Sequence, residues 1–229
     1  MKLAVFYHCL FAIGDGEVLP QAVDIVTDQM RDLQISGLLA RANHITVGVN
    51  GGEESQVFCD SLLPLNANVI LHGLQCRNEC RTILACGEWA RKNPGWLVLY
   101  FHAKGCTHPP GDVMRGGWRH CMMLHLVSNW ARCVNDLERG QLDMVGCHWQ
   151  TPPETPPGQY IFAGNFWWAK SDFLATLPPI TECPRIRTGQ SSLDAMDTRF
   201  EAEVWIGSGP KLPRVRDYHS RWRVGTRGH

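Results

Sequence analysis

The strongest constraint on the fold is an alternation. Short, continuously apolar runs take turns with amphipathic stretches from residue 2 to residue 140. The runs KLAVFYH (2–8), HITVGV (44–49), NVILHG (68–73) and WLVLYFH (96–102) read as strands. The last is a continuous apolar run, as expected for a strand covered on both faces. Between them, Ala22, Ile25, Val26, Met30 and Leu33 recur at helical spacing after Pro20, and Gly37 can end that helix. CRNECRTILACGEWARK (76–92) reads as a second helix, broken by NPG. The stripe Met123, Leu126, Val127, Trp130, Val134 and Leu137 predicts one long helix closed by Gly140. Further strands are predicted over 142–149, 160–170 and 199–207, with a short helix over 171–177 capped by Ser171. Strand–helix repetition implies an α/β fold with a largely parallel central sheet. One Rossmann-like domain is expected over residues 1–207, followed by a basic tail over 208–229.

Composition narrows the function classes. Lys+Arg and Asp+Glu both total 22, so no overall charge points to nucleic acid. The segment 211–229, however, holds six Lys/Arg and one acid, Asp217. Such a tail suits phosphates or an anionic membrane surface, or is simply a solvated terminus. The ten cysteines are scattered through apolar runs with no CxxC pair. That pattern suggests reduced, buried thiols and a cytoplasmic protein, with the tail available for contact at the inner membrane surface. The N-terminal run MKLAVFYHCLFAIG contains Tyr7 and His8 and lacks a small-residue cleavage site, so it reads as a strand rather than a signal peptide. No apolar run approaches the ~20 residues of a membrane span.

Three stretches can carry chemistry. The fourth strand ends in FHAKG, where ligands of parallel sheets bind. His102 and Lys104 alternate along it, and Gly105 allows close backbone approach. Arg119, near the start of the next helix, could add a bidentate phosphate contact. Together these residues suit a diphosphate, but a capped strand end and a solvated lysine explain them equally well. In GNFWWAK, the pair Gly164–Asn165 introduces Phe166, Trp167 and Trp168. One face of that strand must be core, whereas the other could wall a pocket, with Asn165 bonding hydroxyls. In EAEVW, Glu201 and Glu203 alternate, and Trp205 continues the register of Glu203. A carboxylate beside an indole is partly desolvated, which makes it a better base; a solvent-facing acidic pair is the plain alternative. His72, Cys76 and Cys80 fall at i, i+4, i+8 and would share a face if helical, as a metal set or as packing. The loop TPPETPPG (151–158) could overlie a pocket or merely connect. GxGxxG, a P-loop, HExxH, GxSxG and DxD are all absent; DGE (15–17) is the nearest approach to the last.

The series FYHC, LYFHAKG, WR before a helix, VGCHW, GNFWWAKSDFLATLP and EAEVWIG resembles a family of small bacterial and viral glycosyltransferase-like proteins. It is similar, more distantly, to rhamnan-synthesis F-type glycosyltransferases, where a strand ends in His-x-Lys. The resemblance spans most of residues 3–207. It implies a GT-A-like fold, a nucleotide-sugar donor as co-substrate, and a glycan or lipid-linked acceptor. It places the nucleotide near His8, and puts His102 and Lys104 where other GT-A enzymes keep DxD. Fixed side-chain cations would then replace the divalent metal at the leaving diphosphate, so no metal cofactor is expected. Gly164, Asn165 and Trp167 or Trp168 would line the sugar subsite. Glu203 would be the base, with Glu201 as second choice. A non-catalytic nucleotide- or carbohydrate-binding module and a zinc hydrolase built on His72, Cys76, Cys80 and another histidine are the competing readings.

Overall fold

A computed structural model describes residues 1–13, 16–52, 54–108, 111–151, 160–195 and 198–219. The loop 152–159, Asp15 of DGE and the tail beyond 219 lie outside the described residues.

Strands β1 (Lys2–Leu10), β2 (His44–Asn50), β3 (Asn68–Leu71) and β4 (Trp96–His102) fall where the apolar runs place them. Strands β5 (Met144–Gly146), β6 (Trp167–Lys170) and β7 (Val215–Asp217) complete a seven-stranded sheet of order β7-β5-β6-β4-β1-β2-β3. The pairs β1/β2, β1/β4, β2/β3 and β5/β7 are parallel, and β6 runs antiparallel to both β4 and β5. The expected α/β class and largely parallel sheet are therefore present. The chain beyond 207 is more than a tail, because residues 215–217 return to form the edge strand.

Helices cover both faces. α1 (Pro20–Ile35), α2 (Leu38–Arg41), α3 (Glu54–Leu62), α5 (Val113–Met123) and α6 (Trp130–Arg139) lie on one side, and α4 (Cys80–Lys92), α7 (Ser171–Leu174) and α9 (Arg199–Val204) on the other; the short α8 (Pro184–Arg187) joins α7 to α9. The first side packs on Val5, Tyr7, Leu99 and Phe101, the second on Phe6, Val98 and Tyr100. Leu97 to Phe101 are buried without a break, which stabilises the strand by about 1.5–3 kcal/mol for each large side chain. No helix among the described residues is long and apolar enough to cross a membrane.

Three predicted elements differ. The long helix is interrupted by a π-turn, Leu124–Ser128, between α5 and α6. Asn129 closes it, its amide and its Nδ2 both donating to the Leu124 carbonyl. The wider turn leaves the Leu126 carbonyl to accept from Trp168 Nε1 at 2.8 Å. The strand predicted over 160–170 is two strands, Ile161–Phe162 and β6, separated by a turn. The strand predicted over 199–207 is α9 followed by a 3₁₀ turn, Trp205–Gly207. There Ala202, Trp205 and Ile206 are buried at helical spacing, which a two-residue alternation misreads. Ser171 does not cap α7 with its side chain; its hydroxyl accepts from Trp96 N instead.

Candidate functional site

β1 lies between β2 and β4, and the chain crosses from one side of it to the other after β3. The carboxyl ends of β1 and β4 thus flank a topological switch point, the usual ligand crevice of such sheets. His8 and His102 are register partners, so their side chains leave the same sheet face, towards α4. The far partner of His8 on β2 is Gly48.

That glycine lets α4 approach. A Cβ at position 48 would lie 1.9 Å from Thr82 Oγ1 and 2.6 Å from His72 Nε2. Thr82 Oγ1 is 2.8 Å from His8 Nδ1 and 3.0 Å from His72 Nε2. One hydroxyl thereby donates to one ring and accepts from the other. Burial holds the His8 pKa well below 6.5. Burial, aided by Arg81, lowers that of His72 to about 4. His8 is buried and its Nδ1 is engaged, so the nucleotide contact predicted for it is not open in this arrangement.

His102 Nε2 donates to the Gly164 carbonyl at 2.9 Å, and its Nδ1 stands 3.7 Å from Glu79 Oε2. That second distance is too long for a hydrogen bond. Burial first, then the neighbouring Lys104, lowers its pKa to about 3. The ring is neutral at pH 7, which corrects its expected role as a cation. Its backbone is fixed as well, because the carbonyl accepts from Gln29 Nε2 at 3.1 Å, while Gln29 Oε1 accepts from the Tyr7 hydroxyl.

Lys104 follows on a turn with Gly105 at φ 93°. Arg119 Nη1 donates to the Lys104 carbonyl at 2.7 Å, and a Cβ on Gly105 would sit 3.1 Å from that nitrogen. Arg119 therefore clamps this turn with Nη1, a different task from the phosphate contact predicted for it. The Lys104 ammonium lies over the Trp118 ring, 4.2 Å from its centre. Among the described residues it has no hydrogen bond or ion pair. Burial lowers its pKa, Glu203 and Glu79 act to raise it, and Arg199 and Arg115 lower it further. Burial first, then Arg115, Arg199 and Lys104 against Asp112, lowers the pKa of His108, so these cations converge on one region.

Glu203 on α9 faces this region. Burial raises its pKa, Lys104 opposes that, and Glu79 adds to it. Glu201 is two residues away, about 200° round a helix. It acts instead on Cys183 and Cys80, away from Lys104. The helix thus separates two acids that a strand would have aligned. Glu79, just before α4, is the member that the sequence reading overlooks. It is 6% exposed and accepts from the Tyr100 hydroxyl at 2.6 Å. Its pKa is raised by burial, against the hydrogen bonds from Tyr100 and Asn165. In sequence it is an ordinary acid at the start of a helix; the adjacent Asn78, whose Oδ1 accepts from Cys80 N, is the one local sign of a built helix start.

The aromatic segment does not wall a pocket. Trp167 and Trp168 are 0% exposed. Trp167 Nε1 donates to Asn165 Oδ1 at 2.8 Å, and Asn165 Nδ2 donates to the Ala202 carbonyl at 3.2 Å. The sugar-subsite roles predicted for Trp167, Trp168 and Asn165 give way to structural ones. Asn165 and Gly164 form a left-handed turn (φ 54° and 92°) that brings a carbonyl to His102 and anchors α9. The metal set is also overturned. α4 starts at Cys80, so His72, Cys76 and Cys80 share no helix face. Cys76 Sγ donates to Asn78 O and Cys80 Sγ to Thr198 O.

Residues 6–215 match the family described as "Domain of unknown function (DUF8361)". The chain belongs to this family. The DUF8361 match runs from β1 to the first residue of β7, so it takes in every residue of the cluster around Lys104. No curated protein matches the chain. Among solved structures, the chain is similar to the manganese complex of Rv0371C from Mycobacterium tuberculosis H37Rv, with TM-score 0.44 and 10% identity over 96% of this chain and 88% of that one. It is similar to 4-diphosphocytidyl-2C-methyl-D-erythritol synthase from Anaerococcus prevotii, with TM-score 0.44, 11% identity and the same coverage of 96% and 88%. For glucosyl-3-phosphoglycerate synthase from Mycobacterium tuberculosis the values are 0.39, 11%, 77% and 58%. Likenesses this weak carry nothing about activity.

Proposed function

We propose that this domain is a glycosyltransferase that moves a sugar from a nucleotide-sugar donor to a glycan or lipid-linked acceptor. The observation that carries the reading is the Lys104 ammonium at the switch point. It is half buried, held against Trp118, and joined to no carboxylate among the described residues. An ammonium with free donors beside further cations suits a diphosphate. In this reading Lys104 stabilises the charge that gathers on the leaving diphosphate, in place of a DxD-bound metal. Neutral His102 keeps the Gly164 turn against the strand end. Glu203, partly desolvated and near Lys104, takes the proton from the attacking hydroxyl, as an inverting transfer requires. A carbohydrate-binding module is less well supported, because Trp167 and Trp168 offer no exposed ring.

A thermal-unfolding screen against nucleotide-sugars, with product analysis, tests this. A donor at about 100 times its Kd stabilises by about 2.7 kcal/mol, a rise of roughly 5–10 °C for a chain of this size. Lys104→Ala should lose most of that rise. Glu203→Gln should keep the rise and lose transfer, and transfer should proceed without added magnesium or manganese. Failure of every donor to shift the wild type, or an undiminished shift in Lys104→Ala, would refute the proposal. Donor binding with no product from any acceptor would leave a binding module instead.

A further inference from the structure

On the sheet face opposite α4, three side chains that the proposed transfer does not use come together. Cys121 Sγ, one nitrogen of His148 and one of His219 lie within 4.8 Å of one another. They come from α5, from the turn after β5 and from the residue pair after β7. We propose that Cys121, His148 and His219 form a zinc site that fastens the edge strand to helix α5.

The surroundings are built for it. One carboxylate positions both histidines: Asp217 Oδ1 accepts from the His148 amide at 2.8 Å and from the His219 amide at 3.0 Å. Asp217 Oδ2 accepts from Trp149 N at 3.0 Å. His148 is held at φ 63°, a left-handed conformation that costs a residue with a Cβ about 1 kcal/mol or more. His219 Nδ1 is buried with no hydrogen-bond partner among the described residues. Cys121 is the one cysteine of the ten that is not buried. His125, one helical turn after Cys121, has its ring centre 6.0 Å from that of His219, so the fourth position would fall to this ring or to water.

The ligand chemistry selects the ion. One thiolate with two or three imidazoles suits zinc and is unsuited to magnesium or calcium, which take oxygen. Binding releases the thiol proton to solvent and forms an S–Zn bond, with no change of oxidation state. The site is distinct from the Lys104 cluster yet adjoins it. The Trp118 ring meets His148 edge-on at 5.8 Å, and its face carries the Lys104 ammonium. A metal-bound His148 therefore also steadies the ring against which Lys104 rests.

The test uses the full chain, freed of metal and reloaded with zinc or cobalt(II). About one zinc per chain is expected, and the cobalt form should show thiolate-to-metal charge-transfer absorption. Cys121→Ser/His219→Ala should retain about a tenth of the zinc or less, while His120→Ala on the same helix should retain all of it. In the unaltered protein, zinc should slow alkylation of Cys121 by about tenfold or more, read by peptide mass spectrometry. This last measurement needs no variant, so it stands even where the double variant fails to fold. No zinc uptake, no sulfur-to-cobalt band, loss of zinc in His120→Ala, or equal alkylation with and without zinc would overturn the site.

Discussion

Asn165 shows how one side chain can set a site without touching a ligand. It holds a left-handed backbone, accepts from a buried indole and donates to the helix that carries Glu203. Asn165→Ala should destabilise the fold by about 2 kcal/mol or more, from the backbone conformation and the orphaned Trp167 Nε1. Asn165→Gly should recover the backbone part alone, so equal losses in chemical denaturation would contradict this account. The sequence shows that a strand ends at His102 and Lys104, because the apolar run and its polar successors adjoin in the chain. It does not show that His102 is neutral, which depends on burial by segments far along the chain. Glu79 is equally hidden: its partner, Tyr100, lies 21 residues away on another element.

At the level of elements, the parallel half of the sheet was legible because β1, β3 and β4 are nearly continuous apolar runs and β2 is rich in β-branched residues. β1, β2, β3 and β4 need no tertiary information to be recognised. The C-terminal half mixes periods over a few residues. In EAEVWIG the two glutamates suggest alternation, whereas Ala202, Trp205 and Ile206 obey the helical period, and the short apolar core decides. The same contest explains the π-turn, where the stripe continues but one inserted residue rephases it. Packing between elements gives a sharp test. Gly48 is where α4 meets β2, and Gly48→Ala would drive a methyl into Thr82 and His72. The expected loss is about 1–3 kcal/mol, together with disruption of the Thr82 bonds to His8 and His72. An unfolding midpoint like that of the wild type would show that α4 can move away without cost.

Across the whole molecule, two cores share one sheet, and neutral histidines line one of them near the strand ends. His72 and His102 have folded pKa values of about 4 and about 3, against an ordinary 6.5. A depressed folded value means that the unfolded chain binds protons first. The stability they contribute is complete above pH 6.5 and is lost progressively as pH falls towards 4 and then 3. Each histidine adds a slope of up to about 1.4 kcal/mol per pH unit. Glu79 and Glu203, with raised values, act in the opposite sense, so a comparison of variants isolates the histidine effect. Urea unfolding of His72→Gln between pH 6.5 and 4.5 should show a slope about 1 kcal/mol per unit shallower than the wild type. Parallel slopes would mean that His72 is not buried as a neutral ring.

The antiparallel insertion of β6 has a consequence for synthesis. β3, β2, β1 and β4 can all pair once residue 102 has left the ribosome, but the outer rim of β4 finds its neighbour only when residues 167–170 emerge. For the translation of some 65 residues, an apolar ribbon with open amide and carbonyl groups faces solvent or a chaperone. Nascent chains stalled in that interval are the forms of this protein most exposed to edge-to-edge association.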